Sequence, residues 1–377
     1  MKKIKFYISA LLLVAIGAMS LSSCSEDKLG PTIFPDVDET LDPASYTYQL
    51  DKFLTENYLK KYNLTFLYKM PDISTNMNYN LVPATYANSV DLAVLCKHLW
   101  FDVYDKVAGE DFLKTYGPRI ILLVGSPAYN PQSGTETVGL AEGGIKISLF
   151  KVNAMRINNF DMMNEYYFKT MHHEFAHILH QTKTYPQEFN TISVGHYDSN
   201  NWQDRSEGVV ASLGFVTTYA SSEFREDFAE TIANYIVKTD AQWERILDLA
   251  SRGWASADEE DVSSTFFCYY YYPNNDASND MVYAYENEVV FVHNEDGTVS
   301  KYYRNQKDSD GNRIVIYDVE DKDGIDGREA ILQKVQIARQ WLQDAWNVDL
   351  DELRNEVQYR QATYNIEDLR HWVYDIQ

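Results

Sequence analysis

Thr170-Met171-His172-His173-Glu174-Phe175-Ala176-His177-Ile178-Leu179 decides how the rest of the chain is read. Half of the eight histidines fall in nine residues, at 172, 173, 177 and 180. His173 and His177 enclose Glu174 as HExxH. Four residues apart on a helix, two imidazoles lie one turn above each other on one face and can grip a single ion at about 2.0–2.1 Å. Glu174 neighbours the first histidine and projects to the side, where it can reach a metal-activated water without ligating the metal. With this composition the pattern arises by chance in roughly one chain in a hundred. The flanks point the same way: Met171, Phe175, Ala176, Ile178 and Leu179 carry no charge that burying an active-site helix would have to desolvate. A solvated helix with surface histidines is the plainer alternative.

Around this segment the periodicity predicts one helix over Phe160 to Thr182 and another over Phe224 to Val237. Amphipathic patterns also start at Tyr46, with Leu50, Phe53, Leu54 and Tyr58 on one face, and run from Val90 to Val107. Arg119 to Val124, behind Pro118, reads as a buried strand. After Gly143-Gly144, the alternation of Ile145, Ile147 and Leu149 reads as a half-exposed strand and a plausible cleft edge for an extended peptide. Between about 257 and 327 the runs Val289 to His293, Val299 to Tyr303 and Arg313 to Val319 are separated by Asp296-Gly297 and Asp310-Gly311, hairpin signals that suggest an inserted β-meander. Arg328 to Trp346 and Leu350 to Thr363 return to helix.

A zinc enzyme needs a third protein ligand and an open position. The metzincin pattern would put Gly at 180 and His at 183, where this chain has His180 and Lys183. The gluzincin pattern takes a Glu from a later helix, and Arg225-Glu226-Asp227-Phe228-Ala229-Glu230 supplies it. Glu226 and Glu230 lie one turn apart, so Glu226 can bind the metal while Glu230 accepts a hydrogen bond from the far nitrogen of a ligating histidine. A solvated acidic face is the alternative for this pair.

Gly214-Phe215-Val216-Thr217-Thr218-Tyr219-Ala220, followed by Glu226 to Glu230, resembles the zinc-binding metallopeptidase lipoproteins of Bacteroidota, also called substrate-import-associated zinc metallohydrolase lipoproteins. The resemblance covers the leader and about residues 45 to 255, and more weakly the C-terminal helices. It implies a zincin-like α+β fold: an active-site helix packed on a small mixed sheet, and a mainly helical C-terminal part carrying the β-rich insertion. It also implies Zn2+ and an outer-membrane location beside nutrient-import proteins. The Glu-x-Phe-Ala-Glu helix, with a Tyr seven positions earlier, is similar to the lethal-factor branch of gluzincins. That similarity implies Glu226 as ligand and Tyr219 as an active-site phenol. The resulting expectation is a zinc peptidase acting on a protein or peptide. A substrate-capture lipoprotein with a structural metal and a zinc hydrolase of a non-peptide bond remain as alternatives, although a structural site has no need of Glu174.

The apolar run Phe6 to Leu21 follows Lys2, Lys3 and Lys5 and ends at Leu21-Ser22-Ser23-Cys24, the pattern of a lipoprotein signal peptide over 1–23 with Cys24 lipidated. An ordinary secretory signal is the alternative. Residues 24–44 read as a tether and 45–377 as the metallohydrolase domain. Ser25-Glu26-Asp27 resembles a surface-export signal of Bacteroidota lipoproteins, and a solvated tether explains it equally simply; cell-surface display is the expectation, with a periplasm-facing anchor as the other possibility. The net charge of -23 excludes nucleic acid as a partner, and it leaves acyl chains rather than electrostatics to hold the protein on a membrane.

Several further residues stay open. Cys96 and Cys268 could pair in an oxidising compartment. His180 could approach the metal, but one helix does not easily present three ligands. His172 reads as core, and His196 with Tyr197 as a possible cleft wall. Tyr269 to Tyr272 read as a sheet face or a sugar-stacking surface. Asp308 and Asp310 suggest a turn rather than a calcium loop.

Overall fold

The hydrophobic patterns resolve into helices wrapped around a small mixed sheet. The structure is a computed structural model that describes residues 41–70, 81–129, 136–137, 139–142, 146–205, 207–250, 252–257, 268–271, 283–284, 289–293, 299–307, 313–316, 319–321 and 325–376; within 136–142 and 252–321 the description is of backbone alone. The predicted signal peptide, Cys24 and most of the tether therefore lie outside the described residues. Tyr46–Gln377 forms one unit.

Helix α1 spans residues 48–62 and α2 residues 86–108, and each contains one wider π-type turn, at Thr55–Leu59 and Lys97–Phe101. Strand β1 (Thr65–Leu67) pairs in parallel with β2 (Ile120–Leu123). In turn β2 pairs in parallel with β4 (Lys146–Leu149), and β3 (Gly139–Glu142) closes the sheet antiparallel to β4. The order β1-β2-β4-β3 makes β4 an interior strand. This corrects the half-exposed cleft edge expected at Ile145 to Leu149: Ile147, Ser148 and Leu149 are all buried. The outer strand is β3, and its Gly139 and Ala141 carry too little apolar side chain to give a strand signal.

Helix α3 runs over residues 160–182, as the periodicity predicts, with a π-type turn at Asn164–Phe168. Asn159 caps it, its side chain accepting from the Met162 amide at 3.0 Å. It stops at Thr182 ahead of Tyr185-Pro186, a pair that disfavours helix. Its buried face carries Met171, Phe175 and Leu179. Phe175 meets the rings of Trp100 at 5.2 Å and Tyr104 at 5.1 Å on α2. Truncating such a side chain to Ala costs about 3–5 kcal/mol.

Helix α4 (Phe224–Val237) packs along α3, and α5 (Asp240–Ala250), α6 (Gly327–Trp346), α7 (Leu350–Thr363) and α8 (Ile366–Tyr374) complete the helical frame. The backbone strands Val289–His293, Val299–Lys307 and Arg313–Ile316 pair antiparallel in sequence order. Arg252–Ala257 pairs with Val319–Asp321 and with Cys268–Tyr271, so Tyr269 to Tyr271 lie in a strand. Asp308 and Asp310 lie outside the described residues. Cys96 is a buried free thiol 3.6 Å from the Met171 sulfur, so it does not pair with Cys268 here.

Candidate metal centre

Because α3 and α4 pack together, one turn of each faces the other. The Nε2 atoms of His173 and His177 stand 3.0 Å apart, and Glu226 Oε2 lies 3.0 Å from the first and 3.2 Å from the second. An ion bound tetrahedrally at about 2.0–2.1 Å spaces its ligand atoms about 3.3 Å apart, so this triangle fits a zinc ion. Two imidazoles and a carboxylate are also the donor set zinc accepts. Among the described residues no other group of three or more His, Cys, Asp or Glu side chains converges in this way.

Glu230, one turn after Glu226, comes within 2.9 Å of His173 Nδ1, although the contact falls off the ideal hydrogen-bond line. Its other oxygen accepts from Thr217 Oγ1 at 2.7 Å and Asn234 Nδ2 at 3.2 Å, and Lys169 Nζ lies 4.0 Å away. Burial works against a charged His173, but hydrogen bonds to Glu226 and Glu230 outweigh it and raise its pKa to about 10. Burial likewise opposes the charges of Glu226 and Glu230. Even so, the histidines around Glu226, and Lys169 with His173 around Glu230, hold both well below the usual carboxylate range. Both carboxylates thus favour positive charge at one spot, whether it comes from a proton or a metal dication.

Glu174 stays outside the triangle. It is half-buried, and burial raises its pKa while the His173 and His177 imidazoles pull it back, a direction that suits a proton acceptor. Tyr219 folds back onto the group: its ring centroid is 5.9 Å from that of His173. Burial, followed by the Glu226 carboxylate, raises its pKa and keeps the hydroxyl protonated. Trp202 packs edge-on against it at 4.9 Å. A cavity of about 750 Å3 opens beside His173, Glu174, Trp202 and Tyr219 and extends between Val216 and Ile246.

The other histidines separate by role. His180 is not in the triangle; its Nε2 lies 2.8 Å from His177 Nδ1. His172 faces the core, with Nδ1 3.0 Å from the Tyr104 hydroxyl, and burial pushes its pKa down to about 3. His196 does not line the cavity. Tyr197 instead donates to Asp227 at 2.8 Å.

Asp227, next to Glu226, turns instead towards α6, into a closed ion pair. Lys334 on α6 directs its three donors to Asp227 Oδ2 at 2.6 Å, Ser193 Oγ at 2.8 Å and the Gly214 carbonyl at 2.7 Å. Gly214 has a φ of +86°, and a Cβ there would meet Ala330 Cβ at 2.6 Å, so only glycine lets this turn lie against α6. The turn leads into the segment carrying Thr217 and Tyr219.

Sequence reasoning missed Thr217, Asn234, Lys169 and Trp202. Only Asn234 carried a signal, as the residue one helical turn after Glu230.

A family model described as "Putative zinc-binding metallo-peptidase" matches residues 44–351. A solved structure from Bacteroides caccae with the same description is 34% identical, with a TM-score of 0.58, over 85% of this chain and 93% of that one. No curated protein matches the chain.

Proposed function

The chain belongs to this zinc-binding metallopeptidase family, and on that premise we propose that it is a gluzincin-type zinc peptidase, with His173, His177 and Glu226 as metal ligands and Glu174 as general base. The observation that carries the reading is the triangle of His173, His177 and Glu226 atoms with Glu174 beside it. Zinc bound there supplies Lewis-acid polarisation of the scissile carbonyl and acidifies the attacking water. Glu174 takes the water's proton and passes it to the leaving amine. Tyr219 donates a hydrogen bond to the oxygen on which negative charge develops. Glu230, held by Thr217 and Asn234, keeps the proton of His173 on Nδ1 and leaves Nε2 free to ligate. The substrate lies in the cavity against Tyr219 and Trp202.

The test is digestion of a peptide library by the zinc-loaded protein and by its Glu174→Gln variant. The amide is the same size as the carboxylate but takes no proton, so the variant keeps its zinc and loses about 10²–10⁴-fold in turnover. Cleavage at the wild-type rate by the variant, or no cleavage of any peptide by the wild type, overturns the reading.

The lipobox at Leu21 to Cys24 supports an outer-membrane lipoprotein, facing the cell surface and working beside nutrient-import proteins. Cys24→Ala then leaves the protein out of the membrane fraction and without labelled palmitate; a labelled, membrane-bound variant contradicts the anchor.

A further inference from the structure

Each histidine of the triangle uses its second ring nitrogen differently. His173 Nδ1 faces the Glu230 carboxylate, whereas His177 Nδ1 faces another imidazole, His180 Nε2, at 2.8 Å. This hydrogen bond has two possible directions. If His180 donates, His177 carries its proton on Nε2 and has no lone pair to give a metal. If His177 donates, its Nε2 lone pair is free and His180 carries its own proton on Nδ1. We propose that His180 is a positioning residue that accepts from His177 Nδ1 and thereby holds His177 in the tautomer that binds metal. The inference rests on His177 being a ligand, and it reassigns the third histidine of the cluster from possible ligand to support.

The surroundings favour this role. His180 is buried, 8% exposed, and its ring is held edge-on by Tyr185 at 5.7 Å and Phe228 at 6.4 Å. Tyr185 stacks on Phe228 at 4.0 Å, and its hydroxyl serves Asn190 and the Phe224 carbonyl rather than His180. The aromatic walls therefore fix the ring plane without offering His177 another acceptor. The ring centroids of His177 and His180 are 5.0 Å apart at 75°, an edge arrangement that points a nitrogen of each at the other. Sequence spacing alone could not separate this role from ligation.

The experiment compares zinc affinity, by competition with a chromophoric chelator, in wild type, His180→Leu and His180→Gln. The Gln carbonyl reaches about as far as the imidazole Nε2 and can accept, while Leu cannot. Outer-shell partners of this kind change metal affinity by about 10–100-fold. His180→Leu is expected to bind zinc about 10–100-fold more weakly, and His180→Gln to recover most of the loss. A purely packing role would weaken both variants alike, because both disturb the aromatic cage; equal losses overturn the inference. Tight wild-type binding with an unchanged His180→Leu affinity overturns it alone, leaving the ligand triangle intact. A wild type that takes up no zinc overturns the triangle and this inference together. As a second reading of the same point, the imidazole 15N shifts of the zinc-loaded protein should identify His180 as the Nδ1–H tautomer, and an Nε2–H tautomer contradicts the proposal.

Discussion

Glu226 and Asp227 are adjacent acids on one helix, yet α4 turns them into opposite devices. On the Glu226 face, carboxylates meet imidazoles around a point that favours positive charge, and Glu174 and Tyr219 stand beside a cavity. On the Asp227 face the charge is balanced within the protein, since Lys334 supplies the counter-charge and Tyr197 and Thr231 occupy the remaining lone pairs. A closed pair stores its cost and its stability in folding alone. An open one leaves its electrostatics for something that arrives. The contrast teaches that acidity at helical spacing does not mark a site; the sign of the partners does.

The sharpest way to break this contrast is Lys334→Met, which leaves Asp227 in the core without its counter-charge. Breaking a buried pair from one side costs about 3–5 kcal/mol. Chemical denaturation should show that loss equally with zinc and with chelator, because none of the pair's partners belongs to the triangle. A penalty that disappears when metal is removed would merge the two faces into one device.

A smaller effect is expected at Tyr219. The residue is 37% exposed at the edge of the cavity, so its hydroxyl can turn to a substrate oxygen without unfolding anything. Tyr219→Phe should lower kcat by roughly ten- to a thousandfold, about 1.4–4 kcal/mol, with KM and zinc content little changed. An unchanged kcat with a lowered melting temperature would move Tyr219 from the open face to the packing.

Much of this architecture is legible in the amino-acid sequence. The ends of α3, α4 and α7 follow from apolar spacing and from clear stops, although α4 is buried on nearly every side. The triangle is legible because its members sit on two helices whose motifs announce themselves. Helix α8 is not, since it buries only Leu369 and Val373, too few positions to establish a period. Strand β3 escapes notice because the outer strand of the sheet is built on small residues, and the apolar alternation belongs to its covered neighbour β4. Thr217 lies thirteen residues before Glu230 and reaches it only through the turn that Gly214 makes against α6, a contact with no local trace. His180 is visible but ambiguous, since three residues after His177 suits either a ligand or a support.

The central claim is that the open face holds zinc through His173, His177 and Glu226. Crystals grown from zinc-supplemented protein, with anomalous data collected on either side of the zinc edge, test it most directly. The expected result is a single strong peak per chain within about 2.0–2.2 Å of His173 Nε2, His177 Nε2 and a Glu226 oxygen. An empty triangle in zinc-replete crystals, or a peak ligated by other residues, would contradict it.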